Sequence, residues 1–159
     1  MIPFKLTQAQ FRDRYARSLD KHAKTAIAVL RAHLALPVNA NVTSAEVKIF
    51  VGDEDPYEPS IWMYYVGKDT KVDNSDLSLF AGRSLELSVG LDALEQFNER
   101  FFTDEKFGGL DIVADVLRRW FSEMWWKAGG WSYATPTSLD VAEGYGGNKV
   151  VALTESFRS

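Results

Sequence analysis

Apolar residues recur every three or four positions along the first part of the chain: Phe11, Tyr15, Leu19, Ala23, Ala26, Ile27, Leu30 and Leu34. A helix of 3.6 residues per turn gathers such positions on one face, so the spacing predicts one long N-terminal helix. Thr7-Gln8-Ala9-Gln10 marks its start. A hydroxyl at the N-cap and a Gln three residues on can each satisfy a backbone N–H of the first turn. Leu6 and Phe11 stand at the two ends of a hydrophobic staple. Pro37 stops the helix, because proline cannot continue the hydrogen-bond ladder and restricts the residue before it.

Beyond Pro37 the period falls to two. Val47, Ile49 and Val51 alternate with Glu46, Lys48 and Phe50, the mark of a half-buried strand. "GDEDPYEPS" interrupts, and "IWMYYV" follows, apolar on both faces and so expected to lie centrally with a cover on each side. After the polar stretch "GKDTKVDNSD", "LSLF" and "LELSV" read as two more strands. A short helix is expected after Gly90, with Leu91, Leu94, Phe97 and Phe101 on one side, then a stronger one from Leu110 to Lys127. "TSLDVAEGY" and "KVVALTE" close the chain as a hairpin-like pair turning at Gly146-Gly147-Asn148, residues that tolerate positive φ. Strands in consecutive groups, not alternating with helices, favour α+β. The expected architecture is a single antiparallel sheet of about five or six strands, packed by the N-terminal long helix and a C-terminal Trp-rich helix. At 159 residues the chain is expected to form one domain.

The stretch "WFSEMWWKAGGW", Trp120 to Trp131, holds four of the five tryptophans. Trp120 and Trp125 share a stripe with Val113, Val116, Leu117, Phe121 and Met124 and read as core. Trp126 projects about 120° from Trp120, off that stripe. Ala128-Gly129-Gly130 then stops the helix, glycine taking the left-handed position past its end. Trp126 and Trp131 are read first as clamps on this corner or as covered by the closing hairpin. The functional alternative makes Trp126, Trp131 and Tyr133 an exposed aromatic ledge for a partner protein or a sugar ring, since tryptophan buries much area at little entropic cost.

Apolar residues at 46% and charged residues at 25% describe a globular protein, with aromatics rich at 13%. The chain has no cysteine, which excludes disulfides, thiolate metal sites and cysteine nucleophiles. The N-terminus lacks the apolar stretch of a signal peptide, and no apolar run approaches the roughly 20 residues that span a bilayer. A soluble, cytoplasmic protein with no membrane partner is expected. The net charge of −4 argues against nucleic acid, whose binders present a basic face. Arg12, Arg14, Arg17, Lys21, Lys24 and Arg31 do cluster early, but with acids beside them.

Candidate chemistry is sparse. Asp53, Glu54, Asp55 and Glu58 form the densest charge cluster. They lack the spacing of a calcium loop, so a solvated loop is the first reading and an acidic surface for a basic partner, anchored by Tyr57, the second. His22 and His33 lie on the expected long helix about 16 Å apart, too far to share a metal, and no other metal or cofactor pattern is present. There is no GxSxG elbow, P-loop, GxGxxG or kinase set. "EGYGGNK" precedes a strand and so offers no helix N-terminus to phosphate. Asp92 with Glu95, and Asp111 with Asp115, fit solvated helix faces, and Asp73 to Asp76 fit a turn. Nothing positive points to an enzyme.

In size, acidity, lack of cysteine and aromatic richness the chain resembles small bacterial immunity proteins, which block a toxin by occluding it; the resemblance is one of type and rests on no motif. The leading expectation is therefore a non-enzymatic protein-interaction module using the acidic loop and the tryptophan corner. The alternative is a small-molecule binder or enzyme with a pocket between helix and sheet lined by Trp62, Tyr64 and Trp126. An edge strand of the sheet also offers a route to a homo-oligomer.

Overall fold

The computed structural model describes residues 1–52, 55–68, 78–87, 89–91 and 94–157. The capping box forms as its residues predict. The Gln10 N–H donates to Thr7 Oγ1 (3.1 Å) and the Thr7 N–H to Gln10 Oε1 (2.9 Å), opening helix α1, Gln8–Asp20. The expected single N-terminal helix is in fact two, because a second, α2, spans Ala23–Leu34. At the joint the His22 N–H donates to the Leu19 carbonyl (2.9 Å), a tighter bond than the α-helical one. The backbone at Gly90 presses on the His22 side chain so closely that a Cβ there would collide with it. Both helices pack against helix α4, Gly109–Lys127. No glycine or proline marks the joint, so periodicity alone runs straight through it.

Five strands form the sheet: β1 (Val42–Phe50), β2 (Ser60–Gly67), β3 (Ser84–Glu86), β4 (Thr137–Val141) and β5 (Val151–Ala152), in the order β3-β2-β1-β4-β5. The expected purely antiparallel sheet is corrected to a mixed one. β1 pairs antiparallel with β2, but parallel with β4. Parallel neighbours need a long crossover that carries a helix, and here it includes α3 (Arg100–Thr103) and α4. Side-chain alternation has the same period in either direction, so it could not reveal this.

Three other expectations shift. No helix fills residues 94–98: the Ile2 N–H donates to the Gln96 carbonyl (2.9 Å) and the Asn98 N–H to the Ile2 carbonyl (2.8 Å), so the N-terminal segment takes these backbone groups in an isolated bridge. Leu79 of "LSLF" makes a bridge to Val38, not a strand, while residue 77 lies outside the described residues. The connection from β4 to β5 is not a tight hairpin. Residues 142–150 make an excursion with positive φ at Glu143, Gly144, Gly146 and Gly147, and the Gly146 N–H donates to Asp111 Oδ1 (2.8 Å) on α4.

The core lies where α4 meets β1 and β4. Val47, Ile49, Ile61, Met63, Tyr65 and Leu139 point inward from the sheet and are buried. Trp125 on α4 is 1% exposed and its indole N–H donates to the Leu153 carbonyl (2.9 Å). Trp120 is buried too. A phenylalanine cluster fills the end formed by α1 and α3, with Phe11 stacked on Phe101 at 4.8 Å and edge-on to Phe97 and Phe107. On the outer face of β2, Trp62 and Tyr64 are half-buried and Val66 is exposed. That face is therefore less sealed than the apolar run "IWMYYV" predicts. Among the described residues, no helix is long and apolar enough to cross a membrane.

Candidate functional site

The loop that leads into β2 is built by short-range polar chemistry. The Tyr57 N–H donates to Asp55 Oδ1 (3.1 Å) and the Glu58 N–H to the Asp55 carbonyl (3.0 Å), a turn closed by an aspartate on its own backbone. The Tyr57 hydroxyl then donates to the Phe97 carbonyl (2.7 Å), and its ring stands edge-on to Phe102 at 6.0 Å. These bonds fix Asp55 and Glu58 above the start of β2. Asp53 and Glu54, the other two acids of the sequence cluster, lie outside the described residues.

Strand pairing brings a further acid to the same place. β3 runs antiparallel to β2 with Glu86 opposite Trp62, so both side chains stand on the outer face. Asp55, Glu58, Glu86, Tyr57, Trp62 and Gln96 thus help to line one cleft of about 880 Å³. Among the described residues, none that lines it is Lys, Arg or His. Burial together with the charges of Glu99 and Asp55 raises the Tyr57 pKa above its ordinary value. Glu86 escaped the sequence reading. Its place outside the Leu85/Leu87 pair was visible there, but its register against Trp62 was not.

The tryptophan corner is elsewhere. Trp126 is 64% and Trp131 44% exposed, while Tyr133 turns inward. The Tyr133 ring stands edge-on to Trp125 at 5.9 Å, and its hydroxyl is 3.0 Å from that of Tyr65. The Trp131 carbonyl accepts from the Glu155 N–H (2.9 Å), just past β5. The cleft is lined from β2 and β3, and β3 and β5 are opposite edges of the sheet. The acidic loop and the aromatic corner are therefore separate surfaces. Trp62 and Tyr64 are not brought together with Trp126 either, since they stand on the outer face of the sheet and α4 packs on the inner one. Tyr64 instead borders a second groove of about 630 Å³, with Glu46, Lys48, Phe50 and Asp140.

Two polar clusters inside the protein read as structural. His33 Nε2 lies 2.8 Å from the Tyr65 hydroxyl, which in turn meets Tyr133. Burial lowers the His33 pKa and raises that of Tyr65. On α4, Asp115 gathers Arg12, Arg118 and Arg119. Burial would raise the Asp115 pKa, but the bond from Arg12 and the three guanidinium charges hold it below the usual carboxylate value. Arg118 is only 6% exposed, shielded by Asp115 and by the excursion at Gly146, whose carbonyl it reaches at 3.4 Å. Among the described residues, no group of three His, Cys, Asp or Glu is placed to hold a metal ion. Comparison with protein families, with characterised proteins and with solved structures finds no match to this chain.

Proposed function

We propose that the protein is a non-enzymatic interaction module whose acidic cleft receives a basic segment of a partner protein. The observation that carries this reading is the meeting of Asp55, Glu58 and Glu86 with Tyr57 and Trp62 in one cleft whose lining, among the described residues, holds no cation. A concave wall of one charge sign focuses the field and raises the local concentration of an oppositely charged partner. The aromatic rings add apolar area and faces that attract cations. The same carboxylates repel phosphate, which disfavours nucleic acid. Occlusion of a basic partner surface, as immunity proteins achieve, is the use that fits such a cleft, and the exposed Trp126 and Trp131 provide a second contact surface at the other edge of the sheet.

The test is a titration of the full chain with the peptide Ser-Lys-Ser-Lys-Ser-Lys-Ser and with a glutamate counterpart, followed by backbone amide shifts. The lysine peptide should move resonances of Tyr57, Trp62 and Glu86. Its affinity should fall several-fold on raising salt to about 0.5 M, where screening shortens to a few ångströms, and fall again in Glu58→Gln/Glu86→Gln. No binding, or binding indifferent to both, overturns the proposal. The volume of the cleft also lies within the range of ligand pockets, which keeps a cationic small molecule as the second reading. A simple alkylamine that competes with the peptide at equal concentration would favour it.

A further inference from the structure

Behind the cleft lies a smaller cavity of about 50 Å³. It shares Tyr57 and Gln96 with the cleft, and its wall also includes Tyr15, Phe97, Phe102 and Glu95. Tyr15 comes from the inner face of α1 and is 2% exposed. Its hydroxyl has no hydrogen-bond partner among the described residues. A buried hydroxyl left unbonded forfeits the bonds it made to water, so the cavity favours a small polar occupant.

Resting on the reading of the cleft given above, we propose that this cavity receives the ammonium head of a lysine side chain carried by the partner segment. The Tyr15 oxygen accepts one of its three N–H groups. The rings of Tyr15, Tyr57, Phe97 and Phe102 line this cavity, and aromatic faces attract cations within about 6 Å. Two pairs of these rings already hold one another in place, Tyr15 with Phe97 at 5.9 Å and Tyr57 with Phe102 at 6.0 Å, so the chamber is built before the ligand arrives. Asp55 and Glu58 at the cleft guide the cation inward. Glu95 contributes less, because Arg14 (3.2 Å) and Lys21 (4.0 Å) already engage its carboxylate.

The single free acceptor gives the cavity its selectivity. A water molecule occupies about 30 Å³ in the liquid, and an ammonium group is of similar girth. The planar guanidinium spreads five donors in a fixed fork, more than the Tyr15 oxygen can accept. The partner segment is therefore recognised by lysine in preference to arginine, whereas the carboxylates of the cleft alone would accept either.

The full chain is titrated with Ser-Lys-Ser-Lys-Ser-Lys-Ser and with its all-arginine counterpart, in wild type and in Tyr15→Phe, by isothermal calorimetry. Tyr15→Phe removes an oxygen that bonds nothing in the fold, so the variant folds, which its melting curve verifies. The lysine peptide should bind wild type about tenfold tighter than the arginine peptide, the span expected of one hydrogen bond to a charged group. Tyr15→Phe should bring that ratio to about one. If both peptides bind equally, with affinity that falls in Glu58→Gln/Glu86→Gln, the lysine cavity is overturned while the cleft reading stands, and the space is a hydration site. If neither peptide binds, both readings fall together.

Discussion

Tyr65→Phe is the sharpest probe of how the polar interior is held. The Tyr65 hydroxyl stands between His33 Nε2 at 2.8 Å and the Tyr133 hydroxyl at 3.0 Å, tying α2 and β2 to the turn that follows α4. Phenylalanine preserves the buried ring and removes only the oxygen. The loss is then the bonds to His33 and Tyr133 and a weak one to Met63 Sδ (3.5 Å), plus the penalty of a buried His33 nitrogen left bare. Tyr133 suffers less, being half-buried. A net bond contributes about 1 kcal/mol and an orphaned buried group costs about 1–3 kcal/mol, so a loss of about 2–3 kcal/mol is expected. For a chain of this length that lowers Tm by roughly 5–10 °C. Urea unfolding at pH 7.5 should show a lower midpoint at unchanged slope, because the surface exposed on unfolding is the same. The pH dependence supplies an independent arm. His33 is held below its ordinary pKa of 6.5 by burial, so the unfolded chain takes up a proton that the folded one refuses. Stability from this source is level above pH 6.5 and falls as the pH drops below it. His33→Gln should flatten that decline. A Tyr65→Phe protein within about 0.5 kcal/mol of wild type, or a His33→Gln protein with an unaltered slope below pH 6.5, refutes the reasoning.

Phe11→Ala should cost about 3–5 kcal/mol by urea unfolding, because the removed ring is fully buried and touches several phenylalanines that cannot collapse into the gap. Asp115→Asn should cost about 1.5–3 kcal/mol, the worth of charge-assisted bonds to a buried Arg118. In wild type the same carboxylate makes stability fall as the pH drops below 3.8, since its folded pKa is depressed. At the alkaline end, Tyr15 and Tyr65 are held protonated beyond their ordinary value of 10.0, so stability should decline as the pH rises above 10, followed by circular dichroism. Acrylamide should quench two tryptophans strongly, and Trp126→Phe/Trp131→Phe should remove most of that component, as their exposures of 64% and 44% require. Equal shielding of all five would contradict the fold.

Some of the site was written in residue order and some was not. The Asp55–Glu58 turn is local chemistry, the Asp55 carboxylate bonded to the amide two residues on and its backbone carbonyl to the amide three residues on, and its acids and Tyr57 could be picked out at once. The partners across the cleft, Trp62, Glu86 and Gln96, come from three other segments. Trp62 and Glu86 meet through a strand register that no local pattern encodes. Tyr15 read as plain core because periodicity reports which face a residue occupies, not whether its hydroxyl finds a partner there. Tyr133 was grouped with Trp126 and Trp131 by nearness in the chain, yet its hydroxyl is drawn inward by Tyr65.

What the chain's own order determined were the elements whose cause lies within a few residues: the Thr7–Gln10 cap, the alternation through β1, the α4 stripe with Trp120 and Trp125 inside and Trp126 out, and the left-handed glycine that ends it. Each follows from hydrogen bonds or side-chain direction repeating at 3.6 or two residues. Tertiary structure alone decided the break at His22, the parallel pairing of β1 with β4, and the joining of Glu86 to the acidic loop. Those depend on contacts between residues dozens of positions apart, which are selected by how helices and strands fit around one core.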